Sequence, residues 1–450
     1  METLMGNTEG TQEPGKVSTK QQRIAELARK YPERSFVSLA HHIDLGWMKE
    51  AYRRTRKDGA VGVDEQTAEE YAVGLEENLK RLLERFRSGE YQAPPVRRVH
   101  IPKGRKGETR PIGVPTFEDK ILQRAVLMLL EPLYEQDFLD CSYGFRPGRS
   151  AHQALHKLRE GIMQMQGGWV VDVDIRKYFD TLEHGKLREI LDQRVRDGVI
   201  RRQIDKWLKA GVWEGHQRIE MSQGTPQGGV ISPLLSNLYL HVVLDEWFEE
   251  VVKEKMHKRA FLIRFADDAV LVFAKESDAH RVLEVLPKRF GRFGLTVHPE
   301  KTRMICFQRP QGQGKPLRPQ SQSFDFLGFT HYWGKSRKGF WVVKQKTAKD
   351  RLARALQGVG QWCRSNRHLP IREQYQALSL QLTGHYAYYG VTGNSRSLGT
   401  FRNEVEKLWF KWLKRRGRGN ILTWKRFHQL TSVYPLPAAR IVHSIYAAKP

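Results

Sequence analysis

The sequence predicts an α+β protein that gives way to a strongly basic helical region, and three observations carry that expectation. First, short apolar runs of strand type cluster in the middle of the chain. In Trp169–Ile175, Val171, Val173 and Ile175 share one face while Asp172 and Asp174 share the other. Phe261–Phe265 and Ala269–Phe273 form two more such runs, joined by the short turn Ala266-Asp267-Asp268. Second, three- and four-residue apolar spacing dominates elsewhere, as in Leu79, Leu82, Leu83 and Phe86, or Ile121, Leu122, Ala125, Val126, Leu129 and Leu130. Third, charge is unevenly spread. Of the formal net charge of +26, residues 341–450 contribute +16, from 20 Lys or Arg against 4 Asp or Glu.

The elements follow in order. The polar, Gly-, Thr- and Gln-rich start has no apolar core of a secretion signal, and residues 1–25 read as a disordered lead-in. Residues 26–95 read as helical until Pro94 and Pro95 break the pattern. Val96–Ile101 alternates as a strand. A Gly- and charge-rich turn over Lys103–Thr109 then leads to Arg110–Pro115, the outline of a hairpin with a basic tip. Helices are expected over Glu118–Leu139, Ser150–Ile162 and Asp278–Phe293, a loop over Arg309–Pro319, and helices again after 350. A boundary falls near 335–350, where the basic excess begins.

Composition narrows the function. With 40% hydrophobic and 28% charged residues the chain reads as an ordinary soluble protein. It has no apolar run of eighteen or more residues, so no membrane span is expected. Cys141, Cys306 and Cys363 are far apart and form no CxxC pair, which argues against a zinc site or disulfide framework and fits a reducing cytoplasm. The positive excess suits a polyanion, with nucleic acid as the default partner.

Three carboxylates stand out: Asp174 at a strand end, and Asp267 and Asp268 between two apolar strands. An Asp-Asp hairpin tip has a plain reading as a turn. The flanking apolar runs suggest a buried hairpin, in which adjacent carboxylates repel each other and lose solvation. A metal would resolve that conflict. Mg²⁺ takes a few carboxylates together with substrate phosphates, and two such ions about 4 Å apart activate a 3′-hydroxyl and steady a leaving pyrophosphate.

Phe265-Ala266-Asp267-Asp268 resembles the catalytic box of reverse transcriptases, in the form used by those encoded in group II introns. Six further blocks occur in that family's order: Arg110–Thr116, Ser142–Ser150, Asp174–Asp180, Gly224–Asn237, Gly294–Thr302 and Phe326–Phe329. The resemblance implies a right-hand polymerase. Residues 26–95 would be a helical extension of the fingers, 96–335 fingers and palm, and 345–450 a helical thumb and maturase domain. That last domain is further suggested by Leu382–Tyr389 and Leu436–His443.

The same resemblance implies roles. Asp174, Asp267 and Asp268 would bind two Mg²⁺, with Asp172 a bystander on the same face. Phe179 would lie under the sugar and select deoxynucleotides (its plain reading is a core aromatic), and Gln227 would contact the incoming dNTP. Lys103 and Arg110 would clamp the triphosphate. Lys301 is either a proton donor near it or a surface lysine. Arg146 and Arg149 could touch template, with Arg146 favoured as structural.

The implied activity is RNA-directed DNA polymerisation on an RNA template with a DNA primer, joined to binding of the group II intron RNA for splicing and retrohoming into target DNA. The chain resembles the compact bacterial lineage without an endonuclease, often of class C introns, and would not cut the second DNA strand itself. Two rivals remain: a relative domesticated for repair or defence, and an RNA-binding splicing cofactor without polymerase activity. His152 and His156 lack the acid of an HExxH site and read as a helix-surface pair. Tyr386, Tyr389, Trp409 and Trp412 read as core, and the basic residues around them as an RNA-gripping face.

Overall fold

The computed structural model describes residues 15–102, 109–215, 217–221, 223–225, 228–310, 322–416 and 422–445. Helices α1 (Gly15–Lys30), α2 (Leu45–Arg54), α3 (Ala68–Ala72) and α4 (Leu75–Ser88) come first, then β1 (Val96–Pro102), β2 (Thr109–Val114) and α5 (Phe117–Tyr134). The middle of the chain holds α6 (Ala151–Gln164), β3 (Gly167–Val173), α7 (Tyr178–Thr181), α8 (His184–Arg194), α9 (Gly198–Leu208), β4 (Val212–Glu214), β5 (Gln217–Ile219) and α10 (Ser232–Leu240). α10 runs on as a π-helical stretch, His241–Val252. Then follow β6 (Ala260–Phe265), β7 (Asp268–Phe273), α11 (Glu276–Gly291), β8 (Arg303–Gln308), β9 (Phe324–Phe326), β10 (Phe329–Lys335) and β11 (Trp341–Thr347). α12 (Lys349–Ser365), α13 (Ile371–Tyr389), α14 (Ser395–Leu413) and α15 (Trp424–Val433) complete an α+β fold.

Local chemistry sets the helix starts. Asp44 caps α2 by accepting from the Trp47 amide at 2.8 Å. Thr67 and Glu70 close a reciprocal capping box on α3, and Ser150 and Gln153 do the same on α6. The stripe Leu79, Leu82, Leu83 and Phe86 is buried on α4, which ends at Gly89 in the left-handed conformation.

The lead-in expected to be disordered through residue 25 is corrected for residues 15–25. These belong to α1, where Val17, Ile24 and Ala28 are buried and Gln21 donates to the Met128 carbonyl of α5 at 2.8 Å. A few apolar positions at helical spacing are enough to dock a helix that is polar on average.

Three sheets form. One has the order β2-β1-β4-β5, a second β6-β7-β3-β8 and a third β11-β10-β9. The second carries the carboxylates. Its pairings are antiparallel, with Val173 opposite Ala269 and Phe265 opposite Asp268. Val171, Val173, Leu262, Leu271 and Phe273 pack into one core with α1, α2, α4, α5 and α11. Val170, Ile263, Val270, Val272 and Phe307 pack on the opposite face with α6 and β9–β11. Both faces are covered, so β7 reads as an unbroken apolar run rather than an alternating one. The helices α12–α15 have a core of their own, built on Leu378, Leu382, Tyr386, Trp409 and Phe427.

Candidate active site

The β6–β7 turn is held by charge buried directly behind it. Arg264, the penultimate residue of β6, is fully buried. It donates to both oxygens of the equally buried Asp245, at 2.7 and 2.5 Å. Its remaining reach goes to Asn237 Oδ1 at 2.9 Å and to the Ala266 carbonyl at 3.0 Å. Against the desolvation of full burial, the Arg264 guanidinium keeps Asp245 below the usual carboxylate range. Asn237 in turn grips the Gly144 carbonyl at 2.6 Å. Gly144 lies so close that a Cβ there would overlap the Ala266 amide nitrogen. Ala266 itself sits at φ +56°, a conformation that L residues avoid. The turn is thus clamped from three sides, and Asp267 and Asp268 project from it.

Asp174 follows β3 directly. Its amide donates to Thr302 Oγ1 at 3.2 Å and its carbonyl accepts from the His298 amide at 2.8 Å, so the 294–302 block fixes its backbone. Lys301 Nζ stands 3.5 Å from Asp174 Oδ2. Burial raises Asp267, with Arg110 pulling against the shift and Asp174 adding to it. Asp268 is exposed at its surface, yet the protein packed around it, together with the charges of Asp267, Asp172 and Asp174, pushes it up to about 6. Burial likewise raises Asp172 to about 6, while Arg303 at 3.7 Å opposes the shift. Asp172 therefore stands in the same field as the other three.

The other expected residues fall around this group. Arg110 lies exposed on β2, near enough to act on Asp267. Phe179 is half-buried in α7, whose first turn follows Lys177 at φ +48°. The Phe179 carbonyl accepts from the Thr225 amide at 2.8 Å, which ties the 223–225 segment to α7. A Cβ on Gly228 would overlap the Gly113 carbonyl, so the same loop also lies against β2. Lys103 and Gln227 lie outside the described residues. Arg146 is buried and spends its donors on Glu135, Leu139 and Ser142, a structural role. Arg149 pairs with Asp140 at 2.5 Å.

Residues not anticipated from the sequence also matter. Arg264, Asp245 and Asn237 hold the turn. Arg351 of α12 acts on Asp268, so the C-terminal helices reach the carboxylates, and Tyr388 of α13 donates to the Leu327 carbonyl at 2.9 Å. Of the expected surface pair, His156 is exposed but His152 is half-buried. Its Nε2 lies 2.8 Å from the Tyr388 carbonyl and its ring stacks 3.5 Å from His443, because α6 docks on the C-terminal helices. Tyr386 and Trp409 are core, as expected. Trp412 is instead half-exposed, with Arg364, Lys411 and Arg415 each within 6.0 Å of its ring center.

Among the described residues no group of three His, Cys, Asp or Glu side chains is gathered tightly enough to hold a metal as it stands. The donors nevertheless fit a hard divalent cation in kind. They are all carboxylate oxygens, and their mutual repulsion is what a cation would relieve. Also among these residues, no helix is long and apolar enough to cross a membrane.

An antiparallel sheet that brings carboxylates together within reach of Arg110 on the β1–β2 hairpin suits metal-assisted phosphoryl transfer. The family model for reverse transcriptase (RNA-dependent DNA polymerase) matches residues 101–331, just over half of the chain, and the chain belongs to that family. Such enzymes generally use divalent metal ions.

Its relatives include the group II intron-encoded protein LtrA of Lactococcus lactis subsp. cremoris, 41% identical over 182 residues, 40% of this chain and 29% of LtrA. Protein YkfC of Escherichia coli is 37% identical over 52% of this chain and 63% of its own length. The putative COX1/OXI3 intron 2 protein of Saccharomyces cerevisiae is 23% identical over 82% of this chain and 46% of its own length. The matches thus span less than two thirds of each of these relatives.

Proposed function

We propose that the chain is an RNA-directed DNA polymerase that also binds a group II intron RNA to assist its splicing and retrohoming. The observation that supports this is that Asp174, Asp267 and Asp268, at neighboring ends of the adjoining strands β3 and β7, act on one another's charge, with Arg110 of the hairpin acting on Asp267. The names of the relatives supply the intron context.

In this reading Asp174, Asp267 and Asp268 hold two Mg²⁺. Bound there, the metal supplies activation of the primer 3′-hydroxyl and charge stabilization for the departing pyrophosphate. Arg110 and Lys103 hold the dNTP triphosphate, Arg110 with a fork suited to two phosphate oxygens. Gln227 meets the nucleotide, and Phe179 backs its sugar and excludes a 2′-hydroxyl. Lys301, beside Asp174, gives a proton to the pyrophosphate oxygen that leaves. The +16 excess after residue 340 grips intron RNA, and target DNA enters the same cleft during insertion. The three cysteines are buried and, among the described residues, joined in no disulfide, which suits work in the reducing cytoplasm.

Primer extension on an RNA template with dNTPs and Mg²⁺ tests this. Wild type should make DNA, and Asp267→Ala/Asp268→Ala should fall by at least about 10³-fold while RNA affinity is kept. No product from the wild type, with tight binding to structured RNA, would replace this reading with that of a splicing cofactor, which the cation-ringed Trp412 already suits.

A further inference from the structure

Phe145 is an aromatic residue in a place and a conformation that packing does not explain. The residue is 59% exposed. Its backbone lies at φ +56°, where a bulky L side chain is strained and where Gly or Asn would sit at ease. Everything around it is pinned: Asn237 grips the Gly144 carbonyl before it, and the buried Arg146 after it is bonded to Glu135, Leu139 and Ser142. The loop is therefore rigid and the ring is not part of the core.

The direction of the ring is informative. It lies 6.4 Å from Phe265, at an interplanar angle of 42°. Phe265 pairs with Asp268 across the turn. Two other non-glycine residues with positive φ stand next to the carboxylates in the chain: Lys177, shortly after Asp174, and Ala266, directly before Asp267. Strain persists where the surroundings enforce it, and it gathers at sites where geometry matters for function.

From this geometry we infer that Phe145 and Phe265 form an apolar ledge beside the carboxylates that seats the sugar and base faces of the end of a template–primer duplex. The inference rests on the polymerase reading and adds a positioning residue to it. Nucleic acid is the occupant because the ledge adjoins the group that must meet the primer end, and an aromatic face accepts any base. No bond is made or broken by Phe145; it fixes where the 3′-terminal nucleotide lies relative to Asp268.

The test uses Phe145→Asn and Phe145→Tyr in the full chain. Phe145→Asn removes the ring but suits the left-handed backbone, so its Tm should equal or exceed that of wild type. Its Kd for an RNA–DNA template–primer should rise about tenfold, within the range that aromatic contacts to bases contribute. Its KM for dNTP should stay within about twofold, since the ledge does not hold the triphosphate. Phe145→Tyr should restore duplex affinity. A fall in Tm that accounts for the lost affinity, or an unchanged Kd for Phe145→Asn, would overturn the inference while wild-type extension still upheld the polymerase reading. If wild type fails to extend, that reading falls by itself, and the ledge is then judged on duplex affinity alone.

Discussion

In the sheet that carries the carboxylates and the helices that support it, three arginines are buried and matched. Arg264 pairs with Asp245, Arg194 with Asp137 and Arg146 with Glu135. In the helices after Lys349 they stand outside. Asp350, Glu404 and Glu406 are taken up by Arg354, Lys407 and Arg402 near them, whereas Arg364, Lys411 and Arg415 around Trp412 have no acidic partner among the described residues. The glycines divide in the same way. Gly144 and Gly228 are needed because backbone presses on them; Gly358, in the middle of α12, meets nothing within 4 Å. One region uses charge and close approach to fix a geometry. The other holds charge in reserve for a partner outside the chain. The difference teaches that basic content alone says little about binding: the arginines that matter for RNA are the ones the fold has not spent.

The strongest way to break this comparison is to remove a spent charge. Arg264→Ala leaves the buried Asp245 with only His241, 3.8 Å away, as a cationic neighbor, which should destabilize the protein by about 3–5 kcal/mol in urea unfolding. Arg264→Met/Asp245→Leu should recover much of that loss, because the pair is replaced rather than broken. A loss below about 1 kcal/mol for the single variant would mean that Arg264 does not hold the turn.

Removing unspent charge should do the reverse. Arg364→Gln/Lys411→Gln/Arg415→Gln should change stability by less than about 0.5 kcal/mol. Affinity for structured RNA should fall about tenfold or more at 0.1 M salt, and the log–log salt slope should shrink by about 2. An unaltered slope would show that the cations around Trp412 do not touch phosphate.

A smaller effect comes from the carboxylates themselves. Asp268 has a folded-state pKa of about 6, above the unfolded value of about 3.9. The folded state therefore holds a proton more tightly, and the charged form penalizes folding. That penalty is absent below about pH 4 and complete above about pH 6. Asp268→Asn should raise Tm by about 2 °C at pH 7.5 and by nothing measurable at pH 4. Added Mg²⁺ should raise the wild-type Tm and leave that of the variant nearly unchanged. A variant less stable than wild type at pH 7.5 would show that the carboxylates do not repel each other in the folded protein.

The sequence made the carboxylate strands legible because charged residues interrupt apolar runs there. The helix stripe of α4 was legible because burial follows its period. The partners of Arg264 were not: Asp245 lies on a separate helix, and no spacing rule links a strand arginine to it. Strands β10 and β11 went unassigned because Phe329–Lys335 and Trp341–Thr347 mix aromatic with basic residues, and their burial is decided by α6 and by each other. α1 was hidden by its polar average. His152 looked like surface because its neighbor, His443, comes from the far end of the chain.

Gly358 gives the smallest and sharpest test. A helix interior is where glycine is least suited, and Ala in its place gains about 1 kcal/mol through backbone entropy and helix propensity. With open space around the new Cβ, nothing opposes that gain. Gly358→Ala should therefore stabilize the protein by about 0.5–1 kcal/mol. Stabilization with weaker binding of structured RNA would mean that α12 keeps its glycine so that a strand can approach the helix backbone. Stabilization with RNA affinity unchanged would place the contact at the cations around Trp412 rather than on the α12 backbone. Destabilization would show that the position is crowded after all, and the contrast between the two regions would lose its second leg.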